Sequence, residues 1–531
     1  MRPPDPLHAA GPVACPKEMR PLAPATMALR LILRAVVAAL AAGGAAVSFS
    51  AVERVAIDHA YVTSVAGKLA AAPYRAEDRV APKFFRDLNY DRYHHITFDP
   101  KMTLWGEAGR FRLQFFHPGY LFSQMVHLNE FTDTHAQAIP FAHNFFNYHD
   151  VEVPLMSHWG LDFAGFRVLH PLNEPDKWDE VISFLGASYF RALGRRQIYG
   201  ASGRGLALNA GGPAPEEFPA FREFWIRKPE ANDTSLTVHA LLDSPAVTGA
   251  YTFIITPGED TVIETHATLF FRTRVDTPGF APVSTMFWFG EGSVNRFGDF
   301  RPEVHDSDGL LIATDSTTRI WRPLLNAPAV WRTDFDAPAF AGFGLLQRDR
   351  DFRNYQDFEA RFERRPGVWM EPIGTWPPGF VRLVEIPTKG EYNDNITAFW
   401  SPRDKIPVGQ PYEIAWKQHW SSAATFGGPP GWVSATRQTA QDGAPDQTKY
   451  VVDFDRASLA QIAPDAKVSA DVSVAGGGEL NQVQMLRNDA DGSRRLVIKV
   501  RARPGAPVDV RARLMLDGKP ITETWTTRWQ P

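Results

Sequence analysis

Apolar and polar positions alternate with a period of two along most of this chain, the pattern of strands with one buried face. Residues 236–272, LTVHALLDSPAVTGAYTFIITPGEDTVIETHATLFFR, run as β-branched and aromatic stretches broken by Ser-Pro and Pro-Gly, which predicts an antiparallel meander. FRLQFFHPG (111–119) and VRLVEIP (381–387) read the same way. Helical spacing is scarce. Val181, Phe184, Leu185 and Phe190 predict a helix over KWDEVISFLGASYFRALG (177–194), and YQDFEARFERRP (355–366) predicts a short second one closed by Pro366. Pro, Gly and charge interrupt the strand pattern at SPRDKIPVGQP (401–411), which predicts a linker at 403–411. YEIAWKQHW (412–420) then resumes alternation, and the chain closes in short strands joined by turns such as Asp517-Gly518. The expected class is mainly β and antiparallel throughout. A large β-sandwich would span 53–402 and a small immunoglobulin-like β-sandwich 412–531.

The N-terminus departs from this pattern. Residues 27–50, MALRLILRAVVAALAAGGAAVSFS, place Arg30 and Arg34 before a short apolar run and then small residues, as an export signal does. The run falls short of the roughly 20 residues of a membrane span. Residues 1–52 therefore read as an upstream extension plus signal peptide, with translation from Met27, cleavage within 45–56 and export of the mature chain. The sole cysteine, Cys15, precedes that cleavage, so the mature chain would carry no disulfide and no thiolate metal site. A net charge of −4 without a long basic run argues against nucleic acid as a partner.

The same residues exclude several chemistries. GASGRGLALNAGG (200–212) has no Lys-Ser/Thr of a phosphate loop and no G-x-S-x-G elbow; its glycines fit either a close backbone approach or a surface loop. His94 and His95 are adjacent, so a strand would point them to opposite faces, and no metal or cofactor is expected. Carboxylates beside aromatics remain: Asp306 and Asp308 in RPEVHDSDGL (301–310), and Glu391 and Asp394 in EYNDNITAFW (391–400). Two carboxyl groups across a scissile bond are what glycoside hydrolysis requires. Both segments also fit plain turns, because Asn and Asp hydrogen-bond their own backbone. With 15 Trp and 37 Phe in the chain, Trp105, Tyr120, Trp321, Trp376 and Trp400 are candidate platforms for sugar rings in a long open groove.

Several long blocks, in order, carry a resemblance: residues 173–209, FREFWIRKP (221–229), EVHDSDGL (303–310), RIWRPL (319–324), NYQDFEARFERRPGVWMEP (354–372) and LVEIPTKGEYNDNITAFW (383–400). Together they resemble the periplasmic glucan biosynthesis proteins G and D, from about residue 53 to the C-terminus. The resemblance implies a large β-sandwich followed by an immunoglobulin-like domain. It also implies a role in making osmoregulated periplasmic glucans with a β-1,2-linked glucose backbone. The D branch resembles inverting endo-β-1,2-glucanases. By motif, the general acid falls on Asp394 and the general base on Asp306, the latter expected to be the more solvated. Glu391 would be a sugar-binding or supporting carboxylate in the same cleft. Phe362 stands where relatives carry a tyrosine and is placed in the substrate site. The lack of paired arginines in the leader is closer to the G branch. A non-catalytic glucan-binding factor is the alternative. Implied partners are β-1,2-glucan, the inner-membrane glucan glucosyltransferase and a second copy of the chain.

Overall fold

The computed structural model describes residues 56–106, 109–441, 443–460, 462–463, 465–489 and 492–531. The expected extension, signal and cleavage site lie outside the described residues. Two large sheets dominate. In one, of fifteen strands, the meander Leu236–Asp243, Val247–Thr256 and Thr261–Phe271 pairs antiparallel in register, as its alternation predicts. The other has ten strands and carries Gly165–His170, Asp179–Leu185, Tyr189–Ala192, Ser202–Arg204, Pro278–Thr285, Ile396–Pro402 and Gly379–Glu385 in spatial order. Aromatic rings bridge the sheets: Phe184 meets Phe253 at 5.3 Å, and Phe190 meets Trp420 at 6.4 Å. Burying such rings on both inner faces is what holds a sandwich together. One longer helix, His59–Ala70, is capped by Asp58, whose side chain accepts from the Tyr61 N–H at 2.8 Å. Its Val62 and Ala66 pack against Trp225, Leu241 and Ala250. No described helix is long and apolar enough to cross a membrane.

Four expectations are corrected. Residues 177–194 are not a helix but a hairpin, Asp179–Leu185 paired with Tyr189–Ala192, with Phe184 opposite Phe190. Gly186 and Ala187 both take positive φ (78° and 43°), which turns the chain where a helix would continue. Over 355–366 only one 3₁₀ turn forms, Phe362–Arg364, because Gln356 and Arg361 also take positive φ. Pairing is not antiparallel throughout: Ala220–Arg227 runs parallel to His127–Phe131, and Arg319–Pro323 runs parallel to Thr524–Trp529.

The linker at 403–411 is the fourth correction. The strand after it, Pro411–Ser421, does not begin a new domain. It fills the gap between Thr261–Phe271 and Gly367–Pro372 in the fifteen-stranded sheet. The C-terminal layer starts beyond it as a four-stranded sheet: Val433–Gln441, Ala444–Phe454, Arg494–Ala502 and Gly478–Arg487. That sheet covers Val468–Gly476, Val508–Leu516 and Thr524–Trp529, which continue the large sheet past Arg319–Pro323. The shared core joins Tyr450, Ile498, Val510 and Trp525 to Trp321 and Trp369 of the larger part.

Candidate functional site

Three loops and two strands of the ten-stranded sheet converge on Asp394 and Asp306. Asp394 ends the polar turn before strand Ile396–Pro402. That turn is fixed by Asn395, which is 3% exposed: its Oδ1 accepts from the Phe287 N–H and its Nδ2 donates to the Ile386 carbonyl, both at 2.9 Å. An Asn whose amide serves two backbones cannot turn outward without leaving both unpaired. Asp394, next to it, reaches across to the facing strands. Ser202 Oγ donates to its Oδ2 at 3.2 Å, and Arg191 Nη2 lies 3.7 Å from the same oxygen. The Asp394 backbone faces solvent while its side chain is only 24% exposed. Desolvation of the tucked carboxyl raises its pKa; Arg191 opposes this, and the charge of Asp306 adds to it. Asp394 is thus biased toward the protonated form, and the two carboxylates feel each other's field.

Asp306 follows the short strand Val304–His305, which pairs with Phe287–Phe289, and its N–H donates to the Met286 carbonyl at 2.8 Å. Its side chain is 8% exposed, a correction to the expectation that it is the more solvated of the pair. Arg365 Nη1 lies 3.4 Å from Asp306 Oδ1, yet that buried oxygen accepts no hydrogen bond. A buried carboxylate oxygen in this state is where a water or a substrate hydroxyl completes the coordination. Arg365 reaches it because Gly200 is bare: a Cβ there would sit 2.8 Å from Arg365 Cδ. The glycine-rich segment is therefore a close approach rather than a surface loop, with Gly203 under the Phe190 ring. Arg191, Ser202 and Arg365 escaped the sequence reading; the run of small residues at 200–203 was the one signal that something packs across it.

Behind Asp306 lies a buried polar chain. Gln347 Nε2 donates to the carbonyls of His305 and Phe362, at 3.0 and 3.2 Å, so its Oε1 must accept from His305 Nδ1–H at 3.0 Å. His305 Nε2 then faces Glu303 at 2.9 Å and Asp308 at 3.5 Å. Burial disfavours charge on His305, but the Glu303 hydrogen bond and the Asp308 field outweigh it and raise the imidazole to about 9. Glu303, His305 and Asp308 bring one ligand atom each within 4.8 Å of one another and could hold a metal ion. The proton on His305 answers the same electrostatic demand. Asp308 is also no mere turn residue, since it accepts from the Arg348 and Asp349 N–H groups. Beyond it, a cavity lined by Glu291, Glu303, Asp308, Asp349 and Tyr450 separates this chain from the C-terminal strands.

The aromatic platforms are a correction. Trp105, Trp321, Trp376 and Trp400 are at most 7% exposed and belong to the cores, because large rings on inner strand faces stabilise most when covered. Trp105 donates to Glu130 at 2.6 Å, Arg348 stacks on Trp321 at 3.5 Å, and Trp376 packs on Trp400 at 4.8 Å. Trp105, Trp321 and Trp376 border three different cavities, none of them lined by Asp306 or Asp394. Tyr120 is half-buried against Tyr90 and Tyr93. Phe362 is fully buried against Tyr355 and under Arg365, so it offers no face to a sugar. Glu391 pairs with Arg301 at 3.0 Å.

The site is thus an all-β sandwich that brings two carboxyls, Asp394 and Asp306, within each other's electrostatic reach. Comparison with known proteins gives the particular family. Residues 57–529 match the model of the periplasmic glucan biosynthesis protein MdoG, and the chain belongs to that family. It is 39% identical over 503 residues to glucans biosynthesis protein G of Pseudomonas aeruginosa strain PAO1, covering 92% of this chain and 95% of the relative. The corresponding protein of Ralstonia nicotianae is 40% identical over 475 residues (88% and 94%), and that of Pectobacterium atrosepticum 40% over 494 residues (91% and 94%).

Proposed function

We propose that this protein acts in the periplasm on the β-1,2-linked backbone of osmoregulated glucans, as an inverting endo-β-1,2-glucanase. The observation that carries this reading is the unlike surroundings of the two carboxyls. Asp394, biased toward the protonated form by burial and by the field of Asp306, can protonate the leaving glycosidic oxygen. Asp306, with Arg365 as counter-ion and one buried oxygen without a hydrogen bond, can draw a proton from the attacking water. Inversion requires that water to enter between the sugar and the base. The test is incubation with linear β-1,2-glucan. Shorter oligosaccharides should appear, their new reducing ends of inverted configuration by proton NMR of fresh product. Retention of configuration would assign the pair to a covalent mechanism.

One observation favours a second reading. Asp306 is nearly sealed from solvent, and the neighbouring Phe362 has no hydroxyl through which a proton could leave. A chain with this defect would bind glucan and hand it to or from the membrane glucosyltransferase without cutting it. Binding without any shortening of the polymer selects that reading.

A further inference from the structure

One guanidinium gathers three loops that run on toward Asp306, Arg365 and Asp394. Arg301, its side chain 10% exposed, bonds Asp299 and Asp357 at 2.8 Å and Glu391 at 3.0 Å. Each of those carboxylates is followed in sequence by an aromatic residue that the fold leaves open: Phe300, Phe358 and Tyr392, exposed by 79%, 83% and 73%. These same loops lead to the functional groups: Arg301 to Asp306, Asp357 to Arg365, and Glu391 to Asp394. Scattered exposed apolar side chains need no explanation, but three large rings set around one ion-pair hub are not scattered. Phe358 is braced by Phe352 at 4.9 Å. The hub holds the loops before any ligand arrives, so little ordering would remain to be lost on binding.

We propose that Phe300, Phe358 and Tyr392 form the rim on which successive glucose rings of the glucan lie, with Arg301 as the positioning residue that sets their spacing. This rests on the glucan reading above and names the contacts that replace the buried tryptophans. Pyranose rings present C–H faces that match aromatic rings, while the polar loop atoms between the rings suit sugar hydroxyls. Because all three rings are exposed on loops, they suit the interior of a long polymer.

The test uses the full mature chain and linear β-1,2-glucan in calorimetric titration. Phe300→Ala, Phe358→Ala and Tyr392→Ala should each raise Kd about two- to tenfold, the range of a single aromatic contact, with melting temperature unchanged because the rings are exposed. The triple variant should lose measurable binding. Arg301→Gln should weaken binding more than any single ring variant; if it fails to fold, the ring variants decide alone. Wild type that binds no β-1,2-glucan overturns the glucan reading and the rim with it. Wild type that binds while the triple variant binds equally well overturns the rim alone. A triple variant that changes the oligomeric state by light scattering but not the glucan affinity assigns the rings to a protein contact and also overturns the rim.

Discussion

Asp394 owes its protonation bias to where its neighbour Asn395 is nailed down. Asp394→Asn keeps the shape of the turn and removes the proton. Glucan cleavage should fall by at least a thousandfold while calorimetric affinity stays within about threefold, since only a transition-state interaction is lost. Because burial raises Asp394 from the ordinary aspartate value, the alkaline limb of the kcat profile should be shifted upward in the same direction. Gly200→Ala puts a methyl group into the path of Arg365. The fold should survive, but Arg365 must shift from Asp306, and kcat should drop with KM little changed. Carboxylates beside a strand start are a local signal that singles out Asp306, Asp308, Glu391 and Asp394 alike, and only the family resemblance selects Asp306 and Asp394 among them. The partners were not legible in the sequence, since Arg191, Ser202 and Arg365 come from segments that are neighbours only after folding.

At the level of elements, strands with one covered face were easy to read and strands with two covered faces were not. The 236–271 meander shows its alternation, whereas Asp179–Leu185 buries Val181, Ile182 and Phe184, and three apolar positions at that spacing mimic one turn of helix. Tryptophan identity was equally ambiguous: the residue type suits a sugar platform and a core, and only the packing decides. The turn before Ile396–Pro402 supplies an element-scale prediction. Asn395→Ala strands the Phe287 N–H and the Ile386 carbonyl, so the protein should lose on the order of 2–4 kcal/mol in urea unfolding. An Asn395→Asp variant keeps an acceptor for the Phe287 N–H but buries an acid against the Ile386 carbonyl, and should lose at least as much.

Across the whole molecule, buried acids set the pH response. Burial, above all, raises Glu291 and Asp349 to about 8, and His305 is raised to about 9 by Glu303 and Asp308 against its burial. All three bind a proton more tightly folded than unfolded. Their stabilisation is complete below the unfolded values, declines from there, and is gone as pH rises through 8 to 9. Glu77 and Asp315 are depressed to about 2, Glu77 chiefly by its Arg79 hydrogen bond and Asp315 by turn hydrogen bonds that outweigh its burial, so stability also falls below the normal carboxylate range. Melting temperature should therefore peak on the mildly acidic side and fall steadily from pH 6 to 9, and Glu291→Gln should flatten that fall. A flat profile in wild type would refute the assignment of these protons. The pair Arg348–Glu523, 3% and 2% exposed, crosses from the Asp308 loop to the C-terminal layer. Glu523→Gln leaves Arg348 a buried cation and should cost about 3 kcal/mol.

The strand Thr524–Trp529, within eight residues of the chain's end, lies inside the largest sheet, between Val508–Leu516 and Arg319–Pro323. A polypeptide emerges from the ribosome, or from an export channel, N-terminus first. Until Thr524–Trp529 docks, two sheet edges in the middle of the structure remain open. Completion of the largest sheet is thus tied to the docking of this one strand. A chain ending at residue 519 should accordingly collect as aggregate while one shortened only by Pro531 folds normally, as sedimentation of the two would show.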